Sequence, residues 1–120
     1  MATHNELGKI GEELAAQFLV RKGYQILERN FYFEKAEIDI IAQKSKDEIV
    51  MVEVKTRNSA FFGDPQAFVT PSKIKLMVKA ANEYIISNKI AAEVRFDIIA
   101  VLKNKNEERI EHIMNAFYHF

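Results

Sequence analysis

Asp39, Glu53 and Lys55 are the residues of this chain whose types and spacing could do chemistry. They lie in the stretch AEIDIIAQKSKDEIVMVEVKT, residues 36–56, where two apolar runs flank a polar turn and each run is interrupted by charge. Alternate residues of a β-strand face the same way. Glu37 and Asp39 are therefore expected on one face, with Ile38 and Ile40 on the other. Glu53 and Lys55 are expected to share a face, with Val50, Val52 and Val54 opposite. An acid on one strand, then an acid and a lysine two apart on the next, can hold a divalent cation beside a phosphate. Hydrolysing a phosphodiester calls for such a cation, to neutralise developing charge and to lower the pKa of a water. Magnesium takes oxygen ligands and keeps several waters, so two or three carboxylates suffice. Asp39 and Glu53 can supply them, the Val54 carbonyl can add a backbone ligand, and Lys55 can hold the attacking water and stabilise the charge that develops. Glu37, expected on the Asp39 face, is a further candidate ligand.

Such a site needs strands to hold the acids and helices to bury them. Residues 5–22 read as an amphipathic helix, with Ile10, Leu14, Phe18 and Leu19 at helical spacing, Thr3 or Asn5 as cap and Gly23 as terminator. Residues 24–33 read as a strand. Residues 37–43 and 49–56 form a hairpin across KSKDE. Residues 57–69, with Gly63 and Pro65, read as a loop. Thr70-Pro71 opens a second helix with Ile74, Met77, Val78, Ala81 and Ile85 as its apolar stripe. Residues 93–102 are a fourth strand and residues 110–114 a short fifth. The order α-β-β-β-α-β, with that further short strand, predicts one α/β domain spanning residues 1–120: a mixed β-sheet flanked by helices.

Composition sets limits. The chain has 120 residues, 48% of them hydrophobic and 28% charged, and no cysteine, so neither a disulfide framework nor a thiolate zinc site exists. The absence of a signal-peptide pattern and of a long apolar run predicts a cytoplasmic protein with no membrane partner. Net charge is zero, which argues against coating nucleic acid by bulk attraction. It leaves room for a nuclease, because acidic metal ligands cancel basic phosphate contacts in the whole-chain sum. His4, His112 and His119 show no metal-ligand spacing. Asp97, between Phe96 and Ile98, is expected to be structural, paired with Arg95 or another buried donor. The apolar tail, residues 116–120, is expected to dock on the core.

A longer set of residues is more specific than Asp39 with Glu53-x-Lys55 alone. Gly8-x-x-Gly11-Glu12-x-x-Ala15, Gly23-Tyr24, Arg29-Asn30, Glu37-Ile38-Asp39-Ile40-Ile41-Ala42, Val52-Glu53-Val54-Lys55-Thr56-Arg57, Lys73, Arg95-Phe96-Asp97 and Asn115-Ala116-Phe117 together resemble the YraN family, across nearly the whole chain. The three acid and lysine positions look like the PD-(D/E)xK nuclease signature. The resemblance implies a restriction-endonuclease-like core and a Holliday-junction-resolvase-like, magnesium- or manganese-dependent endonuclease acting on branched or structured DNA. It also implies a first-helix carboxylate, Glu12, at the metal. Gly8 and Gly11 suggest that this helix approaches the sheet closely. Lys73, Gln66 and Arg57, with Lys75 and Lys79, are the expected nucleic-acid contacts, and a homodimer is the expected species on a two-fold junction. Two departures stand out. Ala36 replaces the family's usual glycine, and Phe31, Tyr32, Phe33 and Glu34 stand where members often carry arginine. The alternative is a non-catalytic nucleic-acid-binding or DNA-repair accessory module with a vestigial site. A third reading takes the acids as mere ion pairs.

Overall fold

Two apolar faces on one set of strands require two helical covers, and the chain supplies them. The computed structural model describes residues 3–59 and 65–117. The order is α1 (His4–Arg21), β1 (Gln25–Phe33), β2 (Ala36–Ser45), β3 (Glu48–Arg57), a 3-10 turn (Pro65–Phe68), α2 (Pro71–Ser87), β4 (Glu93–Lys103) and β5 (Glu108–Ile113). The five strands form one sheet in sequence order. β3 and β4 are parallel, joined by the crossover that contains α2, and every other pair is antiparallel. The mixed α/β sheet flanked by helices is therefore present, with the short fifth strand running from 108 to 113.

Residues of β3 and β4 alternate between two cores. Ile49, Met51, Phe96 and Ile98 pack with Met77, Ala80, Ala81 and Tyr84 of α2. Val50, Val52, Ile99 and Val101 pack with Ala15, Ala16 and Leu19 of α1. β3 is thus buried on both faces over its first half, as a strand paired in parallel usually is. No helix is long and apolar enough to cross a membrane, among the described residues.

Both helices start as expected. The Thr3 side chain accepts from the Glu6 N–H, and Thr70 accepts from the Lys73 N–H with Pro71 in the first turn. Gly23 follows α1 at φ +93°, a conformation that glycine adopts without cost. The phase of α1 differs from the apolar spacing, however. Gly11, Ala15, Ala16 and Leu19 are buried, and Ile10 is exposed. The cause is a close approach at Gly11. A β-carbon there would fall 2.7 Å from Thr56 Cβ, so only glycine lets α1 rest on the end of β3. Gly8 has open space where its β-carbon would be, so the close approach is made at Gly11 alone.

Strand alternation also breaks, at the place that matters most. Ile38 packs in the α2 core and Ile40 in the α1 core, so they do not share a face. Asn30, on the neighbouring strand, has a positive φ of 54°. It lies between the paired positions Arg29–Ile40 and Phe31–Ile38. The sheet is kinked across Asn30 and Asp39, and the face reverses there.

Candidate active site at the strand fork

The pairing of β2 with β3 runs from Ser45–Glu48 to Ile40–Val52 and stops. Beyond that point residues 36–38 of β2 pair only with β1, and residues 53–57 of β3 pair only with β4. The two strands fork. A fork frees backbone groups that a continuous sheet would satisfy, and buried ones must find partners. Asp39 Oδ2 accepts a hydrogen bond from the Val54 N–H at 2.8 Å, closing the fork. The N–H and C=O of one extended residue point to the same strand edge, so the Val54 carbonyl is also aimed into the fork.

Asp39 is 7% exposed and Glu53 6%. Burial, followed by the Glu53 charge, pushes the Asp39 carboxyl up to about 8, against the pull of the Val54 N–H; the two carboxyls are close enough to share a proton. Glu53 Oε2 meets Lys73 Nζ at 2.5 Å. Glu53 Oε1 is buried and has no hydrogen-bond partner. Burial lowers the pKa of Lys73, but the hydrogen bond and charge of Glu53, with Asp39 and Glu37, more than reverse this. Lys55 follows Glu53 by two residues. Its pKa is lowered by burial first and then by the Arg57 and Lys73 charges, which keeps its ammonium closer to releasing a proton than an exposed lysine's.

Glu12 comes from α1, one residue after the Gly11 contact. Burial raises its pKa, Glu37 raises it further, Arg29 opposes, and Glu53 adds to the rise. Glu13 points away and pairs with Arg29 at 2.9 Å. A pocket of about 160 Å³ opens beside Glu12, lined also by His4, Gly8, Val54, Lys55 and Arg57. Four acids, Glu12, Glu37, Asp39 and Glu53, therefore influence one another, with Lys55 and Lys73 among them. Asp39 and Glu53 are the tight pair at the centre. Among the described residues no three acidic or histidine side chains already converge as a ligand set, so Glu12 and Glu37 stand further out. The donor set fits a hard divalent cation: carboxylates, one of them with an orphaned buried oxygen, and a carbonyl aimed between them.

The expected nucleic-acid contacts are scattered. Lys73 is inside the site on Glu53 rather than on an outer face. Arg57 is at the pocket and donates to the Thr56 carbonyl at 3.0 Å. Lys75 is exposed on α2. Lys79 pairs with Glu34 at 2.8 Å and lies over the Phe33 ring, two turns from Lys73. Gln66 falls in the 3-10 turn, and its side chain lies outside the described residues. Residue spacing carries no sign of the Lys73–Glu53 pair, which exists because the crossover brings the first turn of α2 over β3. Tyr32, one of the departures from the family pattern, flanks the acids: it pairs across the strands with Glu37.

Asp97 is structural, as expected. It is fully buried and accepts from Arg95 Nε at 2.9 Å, Arg95 Nη2 at 2.8 Å and the Asn115 N–H at 2.9 Å, with His112 Nε2 at 2.7 Å. Arg95 also donates to Tyr24 and Glu48. Ala116 is buried and Phe117 stacks on Phe96 at 5.2 Å, so the tail docks on the core as far as it is described; residues 118–120 lie outside the described residues.

The model described as "Uncharacterised protein family UPF0102" matches residues 11–101. UPF0102 proteins of Flavobacterium psychrophilum and Christiangramia forsetii are 62% and 52% identical over 120 residues, covering 100% of both chains in each case. One from Syntrophomonas wolfei is 49% identical, over 95% of this chain and 99% of its own. Among solved structures, Pyrococcus furiosus SfsA in complex with Ca2+ is similar at 14% identity with a TM-score of 0.32; the match covers 90% of this chain and 62% of that one. The chain belongs to the UPF0102 family.

Proposed function

We propose that this UPF0102 protein is a divalent-metal-dependent endonuclease, using magnesium or manganese to hydrolyse phosphodiester bonds in branched or structured DNA. The observation that carries the reading is the Asp39–Glu53 pair: two carboxyls buried together at a strand fork, one held protonated to about pH 8 and the other with an orphaned oxygen. Buried like charges are costly unless something neutralises them, and an arrangement with no structural return points to chemistry. The same sheet shows what a purely structural acid looks like, in the fully partnered Asp97.

Asp39, Glu53 and the Val54 carbonyl would hold the cation, with Glu12 and Glu37 as outer or second-ion ligands. When bound, it would supply charge neutralisation at the phosphate and a more acidic water. The chain's own groups do the rest. Val54 N–H fixes the Asp39 carboxylate. Lys55, its pKa lowered, would orient the attacking water and stabilise negative charge on the phosphate. Lys73 pairs with Glu53 and offsets its charge. Lys55 and Arg57 at the pocket would offer positive charge to a neighbouring phosphate.

The test is cleavage of labelled duplex, flap, single-stranded and four-way-junction DNA with magnesium or manganese, beside Asp39→Asn. The expected result is cation-dependent cutting by the wild type and none by the variant. Equal cutting by both, or none by the wild type on any substrate with either ion, would overturn the reading. In the second case a strand-binding accessory module would take its place.

A further inference from the structure

Phe31, Tyr32 and Phe33 are three aromatics in a row on the edge strand β1, and they part company in the fold. Phe31 and Phe33 turn inward and pack in the α2 core. Phe31 meets Tyr84 edge-on at 5.3 Å. Tyr32 points the other way and is 65% exposed. An exposed aromatic needs no explanation in general, but this one stands at the rim of the acids. It pairs directly with Glu37 across the two strands. Glu12 and Asp39 are also near enough to act on it. The ring thus stands beside the acids while staying open to solvent.

The order of strands gives the site a direction. Tyr32 lies on β1, the acids lie on β2 and β3 around the fork, and the pocket with His4, Lys55 and Arg57 lies beyond them at the end of β3. Aromatic surface, metal-binding acids and basic pocket follow in sequence. Duplex DNA keeps its bases stacked inside and offers only phosphates and groove edges to a flat rim. A rigid ring beside the acids has a different complement: the π-face of an unpaired base.

Resting on the nuclease reading above, we infer that Tyr32 is a base-stacking subsite, which holds an unpaired nucleotide next to the scissile phosphate and directs the enzyme to single-stranded or junction-exposed positions. The ring needs only two torsions to be fixed, so ordering it on a base costs little. Stacking accepts any base, so a preference for unpaired strands is expected without a sequence preference.

The experiment uses the full chain with calcium in place of magnesium. Oligonucleotides carrying 2-aminopurine are titrated as single strands and as blunt duplexes of the same sequence. The wild type and Tyr32→Phe should quench the single-strand fluorescence, and Tyr32→Ala should not. Tyr32→Ala should bind the single strand about 5- to 150-fold more weakly, the range that one stacked base is worth, and the duplex within about 2-fold of wild type. Unchanged quenching in Tyr32→Ala, or equal losses on single strand and duplex, would overturn the subsite. Magnesium-dependent cleavage by the wild type is scored separately. Cleavage without Tyr32-dependent quenching removes the subsite and keeps the nuclease. Quenching without cleavage keeps the subsite and removes the nuclease.

Discussion

Replacing Asp39 with asparagine should stabilise the metal-free protein while abolishing cleavage. In the unfolded chain Asp39 ionises near 3.8, and in the fold it holds its proton to about 8. Between those values the folded state binds more protons than the unfolded state, so stability falls as pH rises. The sign is fixed by the direction of the shift. The contribution is fully present below about pH 4, declines through neutrality, and is gone above about pH 8. Each pH unit within the window is worth at most about 1.4 kcal/mol. From pH 4 to pH 7 the loss is then roughly 4 kcal/mol as an upper limit, a large part of the 5–15 kcal/mol typical of a domain. Asparagine mimics the protonated acid: its oxygen can accept from Val54 N–H, and its amide can donate to Glu53.

The assay is urea unfolding from pH 5 to 9 in the presence of a chelator. Wild-type stability should decline with pH, and Asp39→Asn should be flatter and higher by roughly 2–4 kcal/mol at pH 7. Groups elsewhere titrate in both proteins, so the difference between the two curves isolates the site. Magnesium should raise the wild-type curve, because a ligand that binds only the folded state stabilises it, and should leave the variant little changed. Parallel curves for the two proteins would refute the claim that Asp39 holds a proton at neutral pH. An unfolded variant would show that Asp39 is needed for the fork itself rather than for the metal.

Four further outcomes are expected. Lys55→Ala should lower turnover by roughly two or more orders of magnitude and change DNA affinity much less; equal losses in single-turnover rate and in binding would make Lys55 a phosphate contact only. Glu12→Gln should impair metal-dependent cleavage and Glu13→Gln should not, since Glu13 forms an exposed pair with Arg29, and the reverse would mean that α1 presents its other side to the site. Gly11→Ala should cost about 2–3 kcal/mol in denaturant unfolding, because rotating Thr56 does not clear its Cβ from the added carbon; a neutral result would show that α1 lifts freely from β3. Sedimentation should show a homodimer on a four-way junction, and a strictly monomeric protein that cuts both strands in one binding event would exclude it.

What the sequence discloses and what it hides divide along a physical line. The helix caps at Thr3 and Thr70, the hairpin around Lys46–Asp47 and the two-sided burial of β3 are local consequences of residue type and period, and each can be read directly. The Arg95–Asp97 pair is also local, two residues apart on one strand face. The reversal at Asn30 and Asp39 is not local. Simple alternation puts Ile38 and Ile40 on one face, and only the pairing of β1 with β2 reveals that they diverge. Ile10 looks like core by spacing, but the phase of α1 is set by Gly11 against Thr56, a contact between residues 45 positions apart. The Lys73–Glu53 pair and the place of Tyr32 beside the acids likewise depend on which strands neighbour which. Periodicity can say that a residue is on a face; it cannot say what stands opposite.

Two buried aspartates on one sheet differ in how completely the fold satisfies them. Asp97 is wrapped by donors: the Arg95 guanidinium, His112 and the Asn115 N–H. Burial alone would raise its pKa, but these partners outweigh burial and hold it below the usual carboxylate range. An acid so satisfied has no lone pair to offer a ligand and no reason to change its proton. Asp39 has one backbone donor and a second acid for a neighbour, and its pKa moves the other way. Both acids are buried, so burial by itself does not explain why their pKa values move in opposite directions. The difference is whether the fold completes the carboxylate's shell. At Asp97 it does, and the acid ties β4 to β5 and the chain beyond. At the fork the strands separate before the shell is complete, which leaves Glu53 Oε1 without a partner, Asp39 with one backbone donor and the Val54 carbonyl on the open strand edge. A cation is the ligand that would satisfy all three together, while Lys73 satisfies only one carboxylate oxygen.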